Sequence, residues 1–364
     1  MSELYIGLMS GTSLDGIDVV LVDFAHPKPK LLATLAYELN PTFRAEILSL
    51  RQPSENEVQR LAELDVKLGN EFANAALTLL KNQKLKNDSI QAIGSHGQTI
   101  RHFPNQTFPF TIQVGDPNII AAKTGITTVS DFRRRDLAHG GQGAPLVPAF
   151  HLYLFSDTHK NRVIANIGGI ANITVLSSSK PVFGFDTGPG NTLMDAWAKE
   201  HLQKNHDENG AWAKRGNVIP ELLQKLLSDP YFKKTPPKST GQELFNISWL
   251  KSFLNPIDDP IDVQATLAEL TAQSLMDAIT QQIPNGEILI CGGGVHNQYL
   301  MDRIRYLAEN YSVDSTEKYG VPPDWIEAMA FAWLAKQTLN KKPGNLKEVT
   351  GAKCETILGG VYYA

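Results

Sequence analysis

Three glycine-rich stretches stand where apolar runs end: Ser10–Gly16 (SGTSLDG), Gly168-Gly169 and Gly292-Gly293-Gly294. In the first, Gly11 and Gly16 allow the backbone to turn its N–H groups inward, and Ser10, Thr12 and Ser13 add hydroxyls. Leu14, Asp15, Ile17 and Asp18 complete the segment. This is the chemistry of an anion cradle, and a phosphate fits it; a surface turn uses the same residues for conformational reasons alone. Three such junctions in one chain point to a nucleotide held between two halves. The familiar loop signatures are absent. Nothing matches GxxxxGKS/T, and Asn297 stands where GxGxxG needs its final glycine, which argues against Walker-type and dinucleotide folds.

The first lysine or arginine is Lys28, so the opening loop has no local cation to offset phosphate charge. Neutral donors contribute roughly 1.5–3 kcal/mol per hydrogen bond to a charged group. A divalent ion bridging the phosphates would add what they lack, so ATP as ligand implies Mg2+. The candidate carboxylates are Asp15, Asp18 and Asp186, with Asp18 as the metal-ligand choice.

Asp186 ends an apolar run and opens Asp-Thr-Gly-Pro-Gly-Asn. A carboxylate fixed at a sheet rim can act as a general base, and it can equally close an Asx turn. Glu327 follows Asp324 by three positions, the spacing of a helix capping box. His96, Gln98, Arg101 and His102 cluster without metal-ligand spacing. Of Arg133, Arg134 and Arg135, all can be a solvated run, or one can grip a substrate carboxylate bidentately.

These residues need a sheet and its helices to hold them. Tyr5–Met9 and Ile17–Val22 read as strands buried on both faces, and Lys30–Leu39 as a third strand. Val58, Leu61, Leu64, Leu68, Phe72, Ala75 and Leu79 keep helical spacing within 55–81. A short strand over 90–94 leads into Ser95-His96-Gly97-Gln98, another covers 110–114, and Asp116-Pro117 starts a helix. A second unit opens as the first did, with strands 162–167 and 170–176 around Gly168-Gly169 and a third at 182–185. The two openings lie about 155 residues apart, a diverged internal duplication. Helices follow over 191–202 and 263–283, separated by the Pro- and Lys-rich loop 228–241; a strand over 287–291 leads to Gly292, and helices cover 297–310 and 324–339, the last with Asp324 as N-cap. The class is α/β throughout.

At 364 residues the chain is long enough for two domains. With 34 Lys plus Arg against 38 Asp plus Glu, the net charge of −4 offers no general attraction to nucleic acid or anionic lipid. Cys291 and Cys354 show neither disulfide framework nor metal spacing, as expected in a reducing compartment. Glu3 stands where a signal peptide wants basic residues, and no apolar run approaches the ~20 residues of a membrane span. The expectation is a soluble cytoplasmic protein with no nucleic-acid or membrane partner; composition leaves a homodimer open.

The blocks GLMSGTSLDGIDVVL, GSHGQTIRH, GDPNIIAAKTGI, VSDFRRRDLAHGGQGAPLVP, ANIGGIANIT, FDTGPGN, CGGGVHN and PPDWIEAMAFAWLA, in this order, resemble the anhydro-N-acetylmuramic acid kinases of cell-wall recycling. That family is a branch of the actin-like, sugar kinase and Hsp70 ATPase superfamily. The resemblance implies two ribonuclease-H-like domains with ATP and substrate in the cleft between them, residues 1–130 completed by 341–364 as the first and 131–340 as the second. It implies that Gly11–Asp18 and Gly168–Asn172 are phosphate loops and that Gly292–Gly294 belong to the adenosine site. The implied reaction opens 1,6-anhydro-N-acetylmuramic acid with water at C1 while O6 takes the γ-phosphoryl group of ATP. In these terms Asp186 matches the general base, Glu327 and an arginine of the triplet, assigned to Arg133, are substrate-side, and His96 and Gln98 fall in a block lining the sugar pocket. The alternatives are another actin-like sugar kinase acting on a free hydroxyl, and an actin-like ATPase switch.

Overall fold

The computed structural model describes residues 2–11, 14 and 16–364. The apolar runs flanking the first loop form β1 (Leu4–Ser10) and β2 (Gly16–Asp23), antiparallel neighbours in the register Met9 to Asp18. The alternating segment that follows is β3 (Lys30–Glu38), paired antiparallel with β2. Two helices, Pro41–Leu50 and Glu57–Gln83, carry the chain across one face; Asn40 caps the first, and Leu64, Leu68, Phe72, Ala75 and Leu79 of the second are buried against Ile6, Leu8, Ile17, Val19 and Leu21. Next comes β4 (Ile90–Phe103), parallel to β1. It is longer than the 90–94 stretch expected, because the ladder continues through Ser95–Gln98 and then pairs with β5 (Phe110–Val114). The Asp-Pro start is a helix start: Asp116 accepts from Asn118 N–H, and Pro117 opens the Pro117–Thr124 helix. β6 (Thr128–Ser130) then lies parallel to β4.

The second unit repeats this plan. β7 (Arg162–Ile167), β8 (Ile170–Leu176) and β9 (Phe183–Pro189) form an antiparallel meander, and β10 (Gly286–Cys291) and β11 (Tyr311–Ser315) add on parallel to β7. Its sheet order is β11-β10-β7-β8-β9. In the first unit β12 (Gly360–Tyr362) extends the corresponding order to β12-β6-β4-β1-β2-β3. In both, three antiparallel strands precede two parallel ones added to the opposite side of the first, which is the ribonuclease-H-like arrangement. The internal duplication is therefore one of topology. Among the described residues no helix is long and apolar enough to cross a membrane.

The units divide at other places than 130/131 and 340/341. The first comprises Met1–Leu154 with Trp325–Ala364, the second Phe155–Asp324. Residues 131–154 stay with the first unit because Gln142 N–H donates to Thr350 O (2.8 Å) and Lys353 N–H to His139 O (2.9 Å). The helix Ile326–Leu339 stays because it packs on the first sheet. There Gly7 of β1 and Gly94 of β4 are register partners, and a Cβ on either would overlap a helix carbonyl, that of Ala328 or of Phe331. Bare backbone at both positions lets the helix rest directly on the sheet. Gly94→Ala should therefore destabilise the protein by about 2 kcal/mol or more, seen as a lower urea midpoint, whereas Gly168→Ala, whose Cβ would meet nothing nearer than 3.7 Å, should leave the midpoint unchanged. Equal midpoints for Gly94→Ala and the parent would contradict this packing.

Candidate active site

In the first unit the loop between β1 and β2 is closed by a side chain. Ser10 Oγ lies 2.9 Å from Gly16 O and 2.8 Å from Gln98 Oε1, so its one hydrogen is shared between the far end of the loop and β4. Both Ser10 and Gln98 are buried. Leu14 is buried with φ 60°, in the left-handed region. Gly11 directly follows β1, and Gly16, Ile17 and Asp18 open β2; Thr12, Ser13 and Asp15, expected in the same cradle, lie outside the described residues.

Two residues before Gln98, the buried His96 meets Arg133. The guanidinium donates to His96 Nε2 from Nε (3.1 Å) and Nη2 (2.9 Å), and to Gly143 O from Nη1 (2.8 Å). Arginine cannot accept, so Nε2 carries no proton and the imidazole is the neutral Nδ1–H tautomer. Burial, and then the Arg133 charge, hold the His96 pKa well below its ordinary value. Burial also pulls Arg133 down to about 10, against the carboxylates of Glu327 and Asp136, which favour its charge. Arg133 therefore remains a cation at neutral pH. Of the triplet it alone faces this cluster: Arg134 pairs with Asp131 (2.7 Å) and the exposed Arg135 reaches only Ile357 O (3.5 Å).

The loop behind Arg133 has an anchor that spacing did not reveal. Asp136, fully buried, accepts from Gly143 N–H, Asn345 Nδ2 and Thr350 Oγ1, each at 2.7 Å. It fixes the carbonyl of Gly143 that Arg133 uses. Glu327 is partly buried in the first turn of the Ile326–Leu339 helix, near enough for Arg133 to feel its charge. The expected capping box is corrected. The helix N-cap is Trp325 without a side-chain cap, and Asp324 instead holds His296 Nε2 at 2.9 Å.

In the second unit the other two glycine loops come together. After β9 the chain folds back on the Gly168-Gly169 turn: Gly190 N–H donates to Gly169 O (2.9 Å), Asn191 N–H to Gly168 O (2.8 Å), and Asn191 Nδ2 to Ile167 O (3.1 Å). Gly292, with φ 77°, packs where a Cβ would overlap Asn166 Oδ1, and Gly294 lies against Ile167. A Cβ on Gly168, Gly169 or Gly293 would meet nothing within 3.5 Å, so these three backbones are open to a ligand. Asn191 was not singled out by the sequence, although it closes the DTGPGN block.

Asp186 is partly buried on β9, and its partners come from the loop 228–241. Thr240 N–H donates to Oδ2 (3.0 Å), Asp186 N–H to Lys238 O (3.2 Å), and Tyr231 Oη to Asp186 O (2.6 Å). Burial raises the carboxyl pKa to about 6; the Thr240 N–H opposes the rise and the Glu243 charge adds to it. A proton acceptor in that range is half-loaded just below neutrality.

The family model described as anhydro-N-acetylmuramic acid kinase matches residues 3–364. The chain belongs to this family. The anhydro-N-acetylmuramic acid kinase of Coxiella burnetii is 53% identical over 99% of this chain and 98% of its own length. The enzymes of that name from Saccharophagus degradans (50% identity, 99% of each chain) and Photobacterium profundum (52%, 100% of this chain and 99% of theirs) match equally from end to end. Membership of the kinase family thus covers both units, including the loop 228–241 that grips Asp186 and the C-terminal segment that anchors Asp136.

The environment of Asp186 has a cost in stability. Its folded pKa of about 6 stands above the ordinary aspartate value of about 3.9, so stability is lost as pH rises from about 4 through about 6. Asp186→Asn keeps an oxygen for Thr240 N–H and removes the charge. Its melting temperature should match the parent near pH 4 and exceed it near pH 7; a gap that does not change with pH would contradict the burial of this charge.

Proposed function

We propose that the chain catalyses ATP-dependent, hydrolytic opening of 1,6-anhydro-N-acetylmuramic acid with phosphorylation of O6, giving N-acetylmuramic acid 6-phosphate and ADP in cell-wall recycling. The observation that carries this reading is Asp186, a carboxylate with one oxygen fixed and a pKa raised to about 6, in a chain of this kinase family. A glycosidase uses two carboxylates, one to protonate the leaving oxygen. Here the leaving oxygen takes a phosphoryl group in place of a proton, so one base suffices. Asp186 removes a proton from water, the water oxygen bonds to C1, the C1–O bond breaks toward O6, and O6 receives the γ-phosphoryl group as ADP departs. Asp186 then returns its proton to solvent.

In this reading Gly11–Asp18, including Thr12, Ser13, Leu14, Asp15, Gly16 and Ile17, and Gly168-Gly169 hold the phosphates through backbone N–H groups, and Gly292–Gly294 face the adenosine. Mg2+ is ordinarily held by one or two carboxylates and the substrate phosphates rather than by a protein cage, and Asp18, partly exposed on β2, is the ligand assigned to it. The ion would screen the charge that accumulates in phosphoryl transfer. Arg133 spends three of its five N–H donors on His96 and Gly143, leaving two and its charge for the carboxylate of the sugar's lactyl ether. Glu327, His96 and Gln98 complete the sugar side. The setting is cytoplasmic, and a homodimer is compatible with it.

ADP release should require the anhydro sugar, and Asp186→Asn should cut turnover by roughly 10²–10⁴-fold with MgATP binding retained. Wild-type kcat/KM should fall on acidification through about pH 6. Glu243→Gln, which removes the like charge, should move that limb to lower pH; full activity in Asp186→Asn, or a limb indifferent to Glu243, would contradict the assignment.

A further inference from the structure

Asp186 is gripped on its backbone by Tyr231 and Lys238 and at Oδ2 by Thr240 N–H. Two polar atoms at this place are left over. Among the described residues no donor reaches Asp186 Oδ1, and Thr240 Oγ1 is buried with no hydrogen-bond partner. Leaving a buried hydroxyl unpaired costs about 1–3 kcal/mol, and buried hydroxyls nearly always have partners. Nothing among the described residues meets this one, so it is left for a water or a ligand. Its position is set by the same residue that holds Oδ2, since only Cα and Cβ separate the Thr240 nitrogen from its hydroxyl.

We propose that Thr240 orients the water on which Asp186 acts: the water donates one hydrogen to Asp186 Oδ1 and the other to Thr240 Oγ1, which leaves an oxygen lone pair directed at C1. Only the hydrogen on Asp186 is transferred; the O–H on Thr240 survives as the new C1 hydroxyl. This inference rests on the assignment of Asp186 as base. It gives Thr240 two duties, the backbone N–H for the carboxylate and the side chain for the water. The neighbouring charges do not compete for Oγ1: Lys238 Nζ is engaged with Tyr231 O (3.4 Å) and Phe232 O (3.5 Å), and the exposed Glu243 acts on Asp186 through its charge.

Thr240→Val keeps the shape and the N–H and removes the hydroxyl; Thr240→Ser restores it. Measured in the full-length enzyme with anhydro sugar and MgATP, Thr240→Val should lower kcat by about 10–100-fold, the range for a misplaced reactant. The sugar KM and the acidic limb should stay as in the parent, and Thr240→Ser should recover most of the rate. An unchanged kcat, a raised KM with kcat intact, or equal losses in the Val and Ser variants would each overturn the proposal. Asp186→Asn assayed alongside separates the two claims: if it is inactive while Thr240→Val runs at full rate, only the role of Thr240 falls, and if it is active both fall.

Discussion

In the first unit, everything near the candidate site depends on how closely one helix can approach one sheet. The Ile326–Leu339 helix meets β1 and β4 at Gly7 and Gly94, positions with no side chain to hold it off. Close-packed interiors do not tolerate a shift of even one methylene without strain. The approach brings Phe331 against His96, ring centroids 4.6 Å apart, and brings Glu327 within electrostatic reach of Arg133. A helix held further out would loosen the histidine, and with it the guanidinium that the histidine accepts from.

Burial acts on the two candidate groups in opposite ways, and the sheet surroundings decide which form survives. Arg133 loses some of its basicity but stays charged, because the carboxylates of Glu327 and Asp136 favour its charge, while the neutral His96 offers it a lone pair. Asp186 is driven toward neutrality and rescued in part by one N–H donor, so it ionises in the range where a base must both hold and release a proton. A desolvated cation suits recognition of a carboxylate, and a carboxylate poised near neutral pH suits proton transfer from water. The topological repeat thus supports two chemically distinct clusters on the same strand order.

What the sequence made legible was local. The glycine loops follow from composition at strand ends, the Asp116-Pro117 start from capping chemistry, and the long amphipathic helix from its period. What it hid depends on partners distant in the chain. Asp324 and Glu327 have the spacing of a capping box, but Asp324 is taken by His296, 28 residues away. No local rule chooses Arg133 over Arg134 and Arg135; His96, 37 positions upstream, chooses it. Thr240 meets Asp186 across 54 residues, from a loop that the sequence marks only as rich in Pro and Lys. The divisions between units moved for the same reason, since residues 131–154 are tied to the C-terminal segment by hydrogen bonds that leave no trace in composition.

The central claim is that water cleaves the C1–O bond and the sugar's own bridging oxygen receives the phosphoryl group. It is tested most directly by placing 18O in the 1,6-bridge of the substrate and locating the label in the product. The account predicts that the label is retained in the ester oxygen between C6 and phosphorus, with solvent oxygen at C1. Label left on C1, with an unlabelled ester oxygen, would show cleavage at C6 and contradict it.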